Sequence, residues 1–346
     1  VADTFKKLDI PGFFISVETN QPATAEFFKA LADPPQVVLT ESCQPVFNTN
    51  GHMCAYAWAG LHLDPNGTAR PCCEYLGTVT DSRGQTVNVR THTILEIANT
   101  EYMQDLRRQF RSGQTPAGCS TCVRREQLGG NSRRSLAQYK LANVYGTVDW
   151  EADTISSVGF VGGHLGNLCN LSCRICNENY SSSIAAEKLR YSEYADIKQD
   201  PVYQAMNNTW QDLRRDFFIQ VISLVPQARN FEFLGGEPLR IPANLQFIEY
   251  LVNSGHSPHT ILEFVTNGTH YPELFDSDFA FQRLTITVSI DNVGDRFELE
   301  HNGAQWSEVV DNVRRFADLA SRHAFVRLGA SVTVNIQNVL DLPEVV

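Results

Sequence analysis

The chain has 346 residues, 42% of them apolar and 19% charged, an ordinary globular balance and enough length for two domains. With 28 Lys and Arg against 39 Asp and Glu, the formal net charge is −11, which excludes the chain-wide cationic field that grips nucleic acid or an anionic membrane. No run of about 18 apolar residues occurs and the first twenty residues lack the apolar stretch of a secretory signal, so the sequence predicts a soluble, cytoplasmic protein without a membrane partner.

Residues 1–45 form an N-terminal extension with no assignable role, carrying a helix pattern over Thr24–Ala32 and a strand-like Val37–Thr40. From residue 46 to 150 the chain reads as a small α+β, cysteine-rich domain. Within it Ala55–Leu63, the turn signal Asp64-Pro-Asn-Gly67 and the return from Thr68 to Cys72 predict a β-hairpin. Residues 94–112 space Ile94, Ile97, Met103, Leu106 and Phe110 along one helical face that ends at Gly113. From 156 to 346 strands alternate with helices. The strands are Val158–Val161, Asn230–Leu234, Ile261–Thr266, Leu284–Ile290 and Val326–Val334. The helices are Ser182–Tyr191, Gln211–Leu224, Leu245–Ser254 and Trp306–Ser321. Repeated β-α units imply a parallel sheet covered by helices, and five strands fit an open or incomplete (β/α) barrel. The start at Val1 and the stop at Leu342-Pro-Glu-Val-Val346 suggest a fragment truncated at its C-terminus.

Nine cysteines are present, seven of them in tight groups, a clustering that points to metal or catalysis and away from a disulfide framework. Cys169, Cys173 and Cys176 form C-x3-C-x2-C on the loop after the first strand of the second domain. Three thiolates on a four-iron cubane leave one iron open, as catalysis requires, although zinc or plain buried cysteines would satisfy the spacing alone. The next strand ends in Gly235-Gly-Glu-Pro238. Adjacent glycines let a ligand approach the backbone, and Glu237 could hold an ammonium group. Asn267, Ser289 and Asp291 collect at the same rim. Gly162-Gly-His-Leu-Gly166 is not a dinucleotide fingerprint, and no Walker sequence or nucleophile elbow occurs.

In the first domain, Cys54 and Cys72 bracket the hairpin as C-x12-G-x4-C around Gly67, and Cys119 and Cys122 add a C-x2-C pair. Four thiolates close a metal site that zinc and a 4Fe-4S cluster fill equally well. Cys73 competes with Cys72 as ligand, but the G-x4-C count selects Cys72; Cys43 reads as a small buried hydrophobe. Residues 101–140 hold eight basic residues (Arg107, Arg108, Arg111, Arg124, Arg125, Arg133, Arg134, Lys140) against three acidic ones. They read as partners for an anionic cluster or substrate, or as a solvated helix face.

Over residues 156–346 these features together resemble the radical S-adenosylmethionine (SAM) superfamily. The resemblance rests on Cys169, Cys173 and Cys176, on Gly235-Gly-Glu-Pro238 and on the rim residues, in that order. It implies a partial (β/α)6 radical SAM barrel whose last strand is missing. The three cysteines would hold a 4Fe-4S cluster whose open iron chelates the amino and carboxylate groups of SAM. Reduction would then cleave SAM to methionine and a 5′-deoxyadenosyl radical that abstracts a substrate hydrogen. Gly235, Gly236 and Glu237 would meet the methionine amino group, Ser289 and Asp291 the ribose, Ile175 the adenine, with Pro238 also among the SAM-binding residues and Asn267 nearby. Ile175 stands where relatives often carry an aromatic residue, and His301 stands near the place of a carboxylate-pairing Arg.

Cys54, Cys72, Cys119 and Cys122 resemble the auxiliary-cluster modules called SPASM and twitch, the four ligands matching the shorter twitch type with one auxiliary 4Fe-4S cluster. In most relatives this module follows the radical domain; here it precedes it. The implied protein is a radical SAM enzyme that modifies a peptide or protein and is fed by an external electron donor such as flavodoxin or ferredoxin. The alternatives are a small carbohydrate- or nucleotide-derived substrate, or a non-catalytic iron-sulfur or zinc protein.

Overall fold

The computed structural model describes residues 14–18, 53–191, 199 and 228–341. Of these, 53–165 and 228–232 form one compact unit, the hairpin unit, while 14–18, 166–191 and 233–341 belong to another, the cluster-loop unit. The strands in chain order are β1 (Phe14–Glu18), β2 (Gly60–Leu63), β3 (Ala69–Arg70), β4 (Phe160–His164), β5 (Asn230–Leu234), β6 (Ile261–Thr266), β7 (Arg283–Ser289) and β8 (Val326–Thr333). Both units are of α/β character. No helix of the described residues is long and apolar enough to cross a membrane. The segments Thr24–Ala32, Val37–Thr40 and Gln211–Leu224, together with Cys43, lie outside the described residues.

In the cluster-loop unit β7 runs parallel between β6 and β8, pairing Ile286 with Phe264 on one side and Leu328 on the other. Leu284, Ile286 and Val288 of β7 are buried in strict alternation, the period a strand imposes on its side chains. The helix Trp306–Arg322 buries Val309, Val313 and Phe316, spaced three and four apart as one helical stripe, and packs on β8. The helix over 242–253 starts earlier than the expected Leu245 because Pro242 occupies its first turn, where a fixed φ and a missing N–H cost nothing. One strand was not expected. β1 lies parallel beside β8, from Phe14 against Gly329 to Glu18 against Thr333. The edge that the five expected strands left open is thus taken by residues from the N-terminal extension, which satisfies the ladder groups of β8 on that side.

In the hairpin unit β2 pairs antiparallel with β3, His62 opposite Arg70, and parallel with β4, His62 opposite Gly162. The expected strand Ala55–Leu63 is only half a strand. Tyr56–Ala59 forms a helical turn, closed by Ala59 N donating to Ala55 O at 2.8 Å; three alanines in five residues favour that geometry. The expected single helix over 94–112 is two helices, Ile94–Ala98 and Glu101–Arg111. Thr93 caps the first in a capping box with Glu96, and Thr100 restarts the chain by capping the second.

The basic residues of 101–140 do not form an open patch. Arg107 is fully buried and donates to the carbonyls of Ala57, Ala98 and Asp153 at 2.7, 2.6 and 2.5 Å. Arg111 pairs with Asp153, Arg125 with Glu74 and Arg134 with Glu126. Arg133 and Lys140 share Glu232.

Gly163 is the residue that lets β2 and β4 meet. Its φ is +142° and an added Cβ would lie 2.1 Å from Leu63 O, so both the torsion and the space exclude a side chain. Gly163→Ala is expected to destabilise the protein by about 2 kcal/mol or more, read as a lowered midpoint of thermal unfolding; an unchanged midpoint would contradict this packing.

Candidate functional site

The cluster-loop unit places Cys169, Cys173 and Cys176 on the loop after β4, all half-buried and free of disulfides. Three consecutive serines hold the loop in shape. Ser181 Oγ donates to Leu171 O at 2.6 Å, Ser183 Oγ to Cys169 O at 2.7 Å, and Ser182 Oγ accepts from Cys169 N at 3.1 Å. From the other side residues 299–302 dock on it: Ser172 N donates to Asn302 O and Arg174 N to Glu300 O, each at 2.9 Å. Burial pushes the Cys173 thiol up to about 12, and the neighbouring Cys169 and Cys176 add to it. The three thiols therefore lie within electrostatic reach of one another, the donor chemistry that suits an iron-sulfur group.

The Gly-Gly-Glu-Pro turn is bonded directly to this loop. Gly236 N donates to Tyr180 O at 3.1 Å and Glu237 N to Leu168 O at 2.7 Å. The approach is so close that a Cβ on Gly236, whose φ is +57°, would lie 2.6 Å from Leu168 O. Pro238 is buried at the start of a 3₁₀ turn. Asn267 donates through Nδ2 towards Cys169 Sγ at 3.8 Å and to Asn170 Oδ1 at 3.2 Å. Ser289 ends β7, half-buried, and Ile175 is 45% exposed beside the last cysteine. Gly235 and Gly236, Asn267, Ser289 and Ile175 thus keep accessible surface in the unit that carries the three thiols.

Two residues expected to meet the ligand are buried among protein partners. Glu237 is 0% exposed. Its Oε1 accepts from Leu239 N at 3.0 Å and Thr266 Oγ1 at 2.7 Å, and its Oε2 from Asn267 N at 2.6 Å. The carboxylate faces the protein and ties the end of β5 to the end of β6. Asp291 is 2% exposed, its Oδ1 accepting from Thr333 N at 2.7 Å and its Oδ2 lying 3.1 Å from His301 Nε2. It stands behind His301, buried away from the accessible surface. His301, 3% exposed, is stacked on Phe297 at 4.3 Å and sets Nδ1 3.6 Å from Cys173 Sγ. Its place is a carboxylate–imidazole–thiol series, a supporting contact of the kind that orients metal ligands. The serine run 181–183 and His301 were not read as supports from sequence. A run of hydroxyl residues directly after the cysteine loop was the available signal for the first.

In the hairpin unit Cys54, Cys72 and Cys122 are buried and Cys119 half-buried. Burial, then Cys119 and Cys122, pushes Cys54 up to about 12; burial, then Cys72 and Cys122, does the same to Cys119; burial, then Cys54, raises Cys72. Each of the four thiols thus lies within electrostatic range of at least two of the others, although they are not gathered within 4.8 Å of one another. Gly67 supplies φ +85° at the turn and returns its N–H to Asp64 O at 2.9 Å. Leu76 N donates to Gly118 O at 2.9 Å, and a Cβ on Gly118 would lie 2.3 Å from the Tyr75 ring, so only glycine lets the Cys119 segment close on the Cys72 segment. Cys72 and Cys73 lie in a turn beyond β3. Cys73, half-buried, lies among Arg133, Glu232, Glu74 and Lys140 and also adds to the rise of Cys72 beside it, so it is the G-x4-C spacing that selects Cys72.

Burial raises the Glu237 carboxyl from 4.5 to about 7, Thr266, Asn267 and Leu239 only partly opposing it. Its folded-state affinity for a proton exceeds the unfolded one, so its contribution to stability is full below about pH 4.5 and is lost as the pH rises to about 7. In anaerobic urea unfolding, the stability advantage of wild type over Glu237→Gln is expected to shrink from pH 5 to pH 8; a constant or widening gap would contradict the assignment. At neutral pH the amide, facing three donors with one acceptor, is expected to cost about 1–3 kcal/mol.

Residues 54–123 match the family model of SPASM, the iron-sulfur cluster-binding domain. Among solved structures the chain is similar to that of hexahistidine-tagged anSMEcpe with bound AdoMet, at 17% identity and a TM-score of 0.35, over 53% of this chain and 44% of that one. The chain thus matches less than half the length of that protein. No curated protein matches it. The matched segment runs from Cys54 to just past Cys122 and holds Cys54, Cys72, Cys119 and Cys122 together with Cys73. Residues 54–123 of this chain are thus similar to the SPASM iron-sulfur cluster-binding domain.

Proposed function

We propose that the protein is a radical SAM enzyme with one auxiliary 4Fe-4S cluster, acting on a side chain of a peptide or protein. The observation that carries this reading is the direct bonding of the Cys169–Cys176 loop to the Gly235-Gly-Glu-Pro238 turn, through Leu168 and Tyr180. That bonding sets the cysteine loop beside the half-buried Gly235 and Gly236. Cys169, Cys173 and Cys176 would hold the SAM-binding 4Fe-4S cluster, and Cys54, Cys72, Cys119 and Cys122 the auxiliary one. When bound, the first cluster supplies the electron that cleaves SAM to methionine and a 5′-deoxyadenosyl radical.

The chain's own residues then have separable tasks. Gly235 and Gly236 leave their backbone open to the methionine end of SAM. Glu237 fixes that turn against β6 and does not itself take the ammonium group. Ser289 and Ile175 are the contacts left for ribose and adenine, and Asn267 bridges from Cys169 towards the same opening. His301, buttressed by Asp291, holds Cys173. An external one-electron donor, such as flavodoxin or ferredoxin, completes the cycle.

The reduced, reconstituted protein is expected to convert SAM to 5′-deoxyadenosine. Replacing Cys169, Cys173 and Cys176 together by Ala should abolish that product and leave about half the iron, because the four ligands of the SPASM-like segment remain. Loss of all iron, or continued SAM cleavage, would overturn the two-site reading. In the auxiliary site Cys72→Ala should lower iron content while Cys73→Ala should not, since only the first thiol belongs to the set of four.

A further inference from the structure

Gly162-Gly-His-Leu-Gly166, which fits no nucleotide motif, acquires a meaning from the pairing of β2 with β4. His62 stands opposite Gly162 and Leu63 opposite Gly163, so Asp64 continues the register opposite His164. Side chains two apart on a strand share a face, and in a parallel pair aligned residues share it too. His62, Asp64 and His164 therefore converge on one side of the β2–β4 pair. Their ligand atoms lie within 4.8 Å of one another. Among the described residues this is the one set of three or more His, Cys, Asp or Glu side chains gathered so closely.

His62 supplies the second observation. It is fully buried, and neither Nδ1 nor Nε2 has a hydrogen-bond partner among the described residues, although an imidazole always carries at least one donor or acceptor that burial penalises when unmet. The His164 ring lies edge-on to it, centroids 5.4 Å apart at 78°. Burial, aided by Arg70, keeps both rings neutral, with His164 lowered to about 4. Neutral imidazole is the ligating form.

Asp64 is oriented by its ion pair with Arg70 through Oδ1, while Oδ2 accepts only from Thr68 Oγ1 at 3.3 Å. Arg70 is the cation closest to this group. The charge of Arg133, the other cation facing His62, is largely taken by Glu232 at 2.7 Å.

We propose that His62, Asp64 and His164 bind one divalent first-row transition-metal ion. Two imidazoles and one carboxylate are a donor set such ions favour, and it leaves coordination positions for water or a further ligand. Ligands held about 2.0–2.2 Å from one ion lie at most about 4.4 Å apart, so the three atoms close on it with small side-chain rotations. The site uses none of the cysteines and stands independently of the radical SAM reading.

Zinc chloride is the probe, added to protein whose iron-sulfur sites are loaded so that the cluster thiols are occupied. After gel filtration the protein is expected to retain one zinc per chain, and zinc should raise its thermal midpoint. His62→Gln and His164→Gln should each weaken zinc retention at least tenfold with iron content unchanged. Because His62 is buried, Asp64→Asn is the second variant: it should lose zinc-dependent stabilisation while keeping iron and a cooperative transition. Zinc at background in the wild-type protein would overturn the site, as would undiminished retention in all three variants.

Discussion

The cluster-loop unit depends on one buried carboxylate. Glu237 accepts from Leu239 N, Thr266 Oγ1 and Asn267 N, and its own N–H donates to Leu168 O at the mouth of the cysteine loop. Three segments that would otherwise end independently (the exit of β5, the exit of β6 and the start of the cysteine loop) are fixed to a single residue. Taking a carboxylate out of water is expensive unless donors meet it; here burial still wins in part and raises its proton affinity. The glycines before it are needed for a related reason: Gly236 must come closer to Leu168 than any side chain permits.

The hairpin unit reaches a comparable result with glycine contacts and a buried cation. Gly163 brings β4 onto β2, Gly118 brings the Cys119 segment onto Tyr75, and Arg107 gathers three carbonyls from separate segments. The outcome is a set of four thiols, in which burial and the neighbouring thiols favour the protonated form of Cys54, Cys72 and Cys119. Such thiols become thiolates when a cation shares their charge, so metal loading and deprotonation are one event. The two cysteine sites differ in exposure. All three cysteines of the loop are half-buried and Ile175 beside them is open to solvent, whereas three of the four in the SPASM-like segment are buried.

Much of this was legible in the sequence because its signals are local. Asn230–Leu234 and Ile261–Thr266 fall where apolar patterning put them, and the cysteine spacings named the matched SPASM segment from Cys54 to Cys122. What escaped was tertiary or capping information. The partnership of residues 14–18 with β8 joins segments more than 300 residues apart, which no local pattern encodes. Thr100 broke one helix into two because a hydroxyl cap outweighed continuous apolar spacing. Glu237 and Asp291 were recognised as belonging to the site but assigned to the ligand, since a sequence does not say whether a rim carboxylate turns outward or inward. The basic residues of 101–140 looked like a patch only while their carboxylate partners, up to 99 positions away for Arg133 and Glu232, were out of view.

The central claim is that one iron-sulfur centre binds SAM and the other does not. Electron paramagnetic resonance of the dithionite-reduced protein, recorded with and without SAM, tests it most directly. Two reduced-cluster signals are expected, of which one changes on SAM addition and disappears in Cys173→Ala while the other is indifferent to both. A spectrum that SAM leaves unaltered would contradict the account.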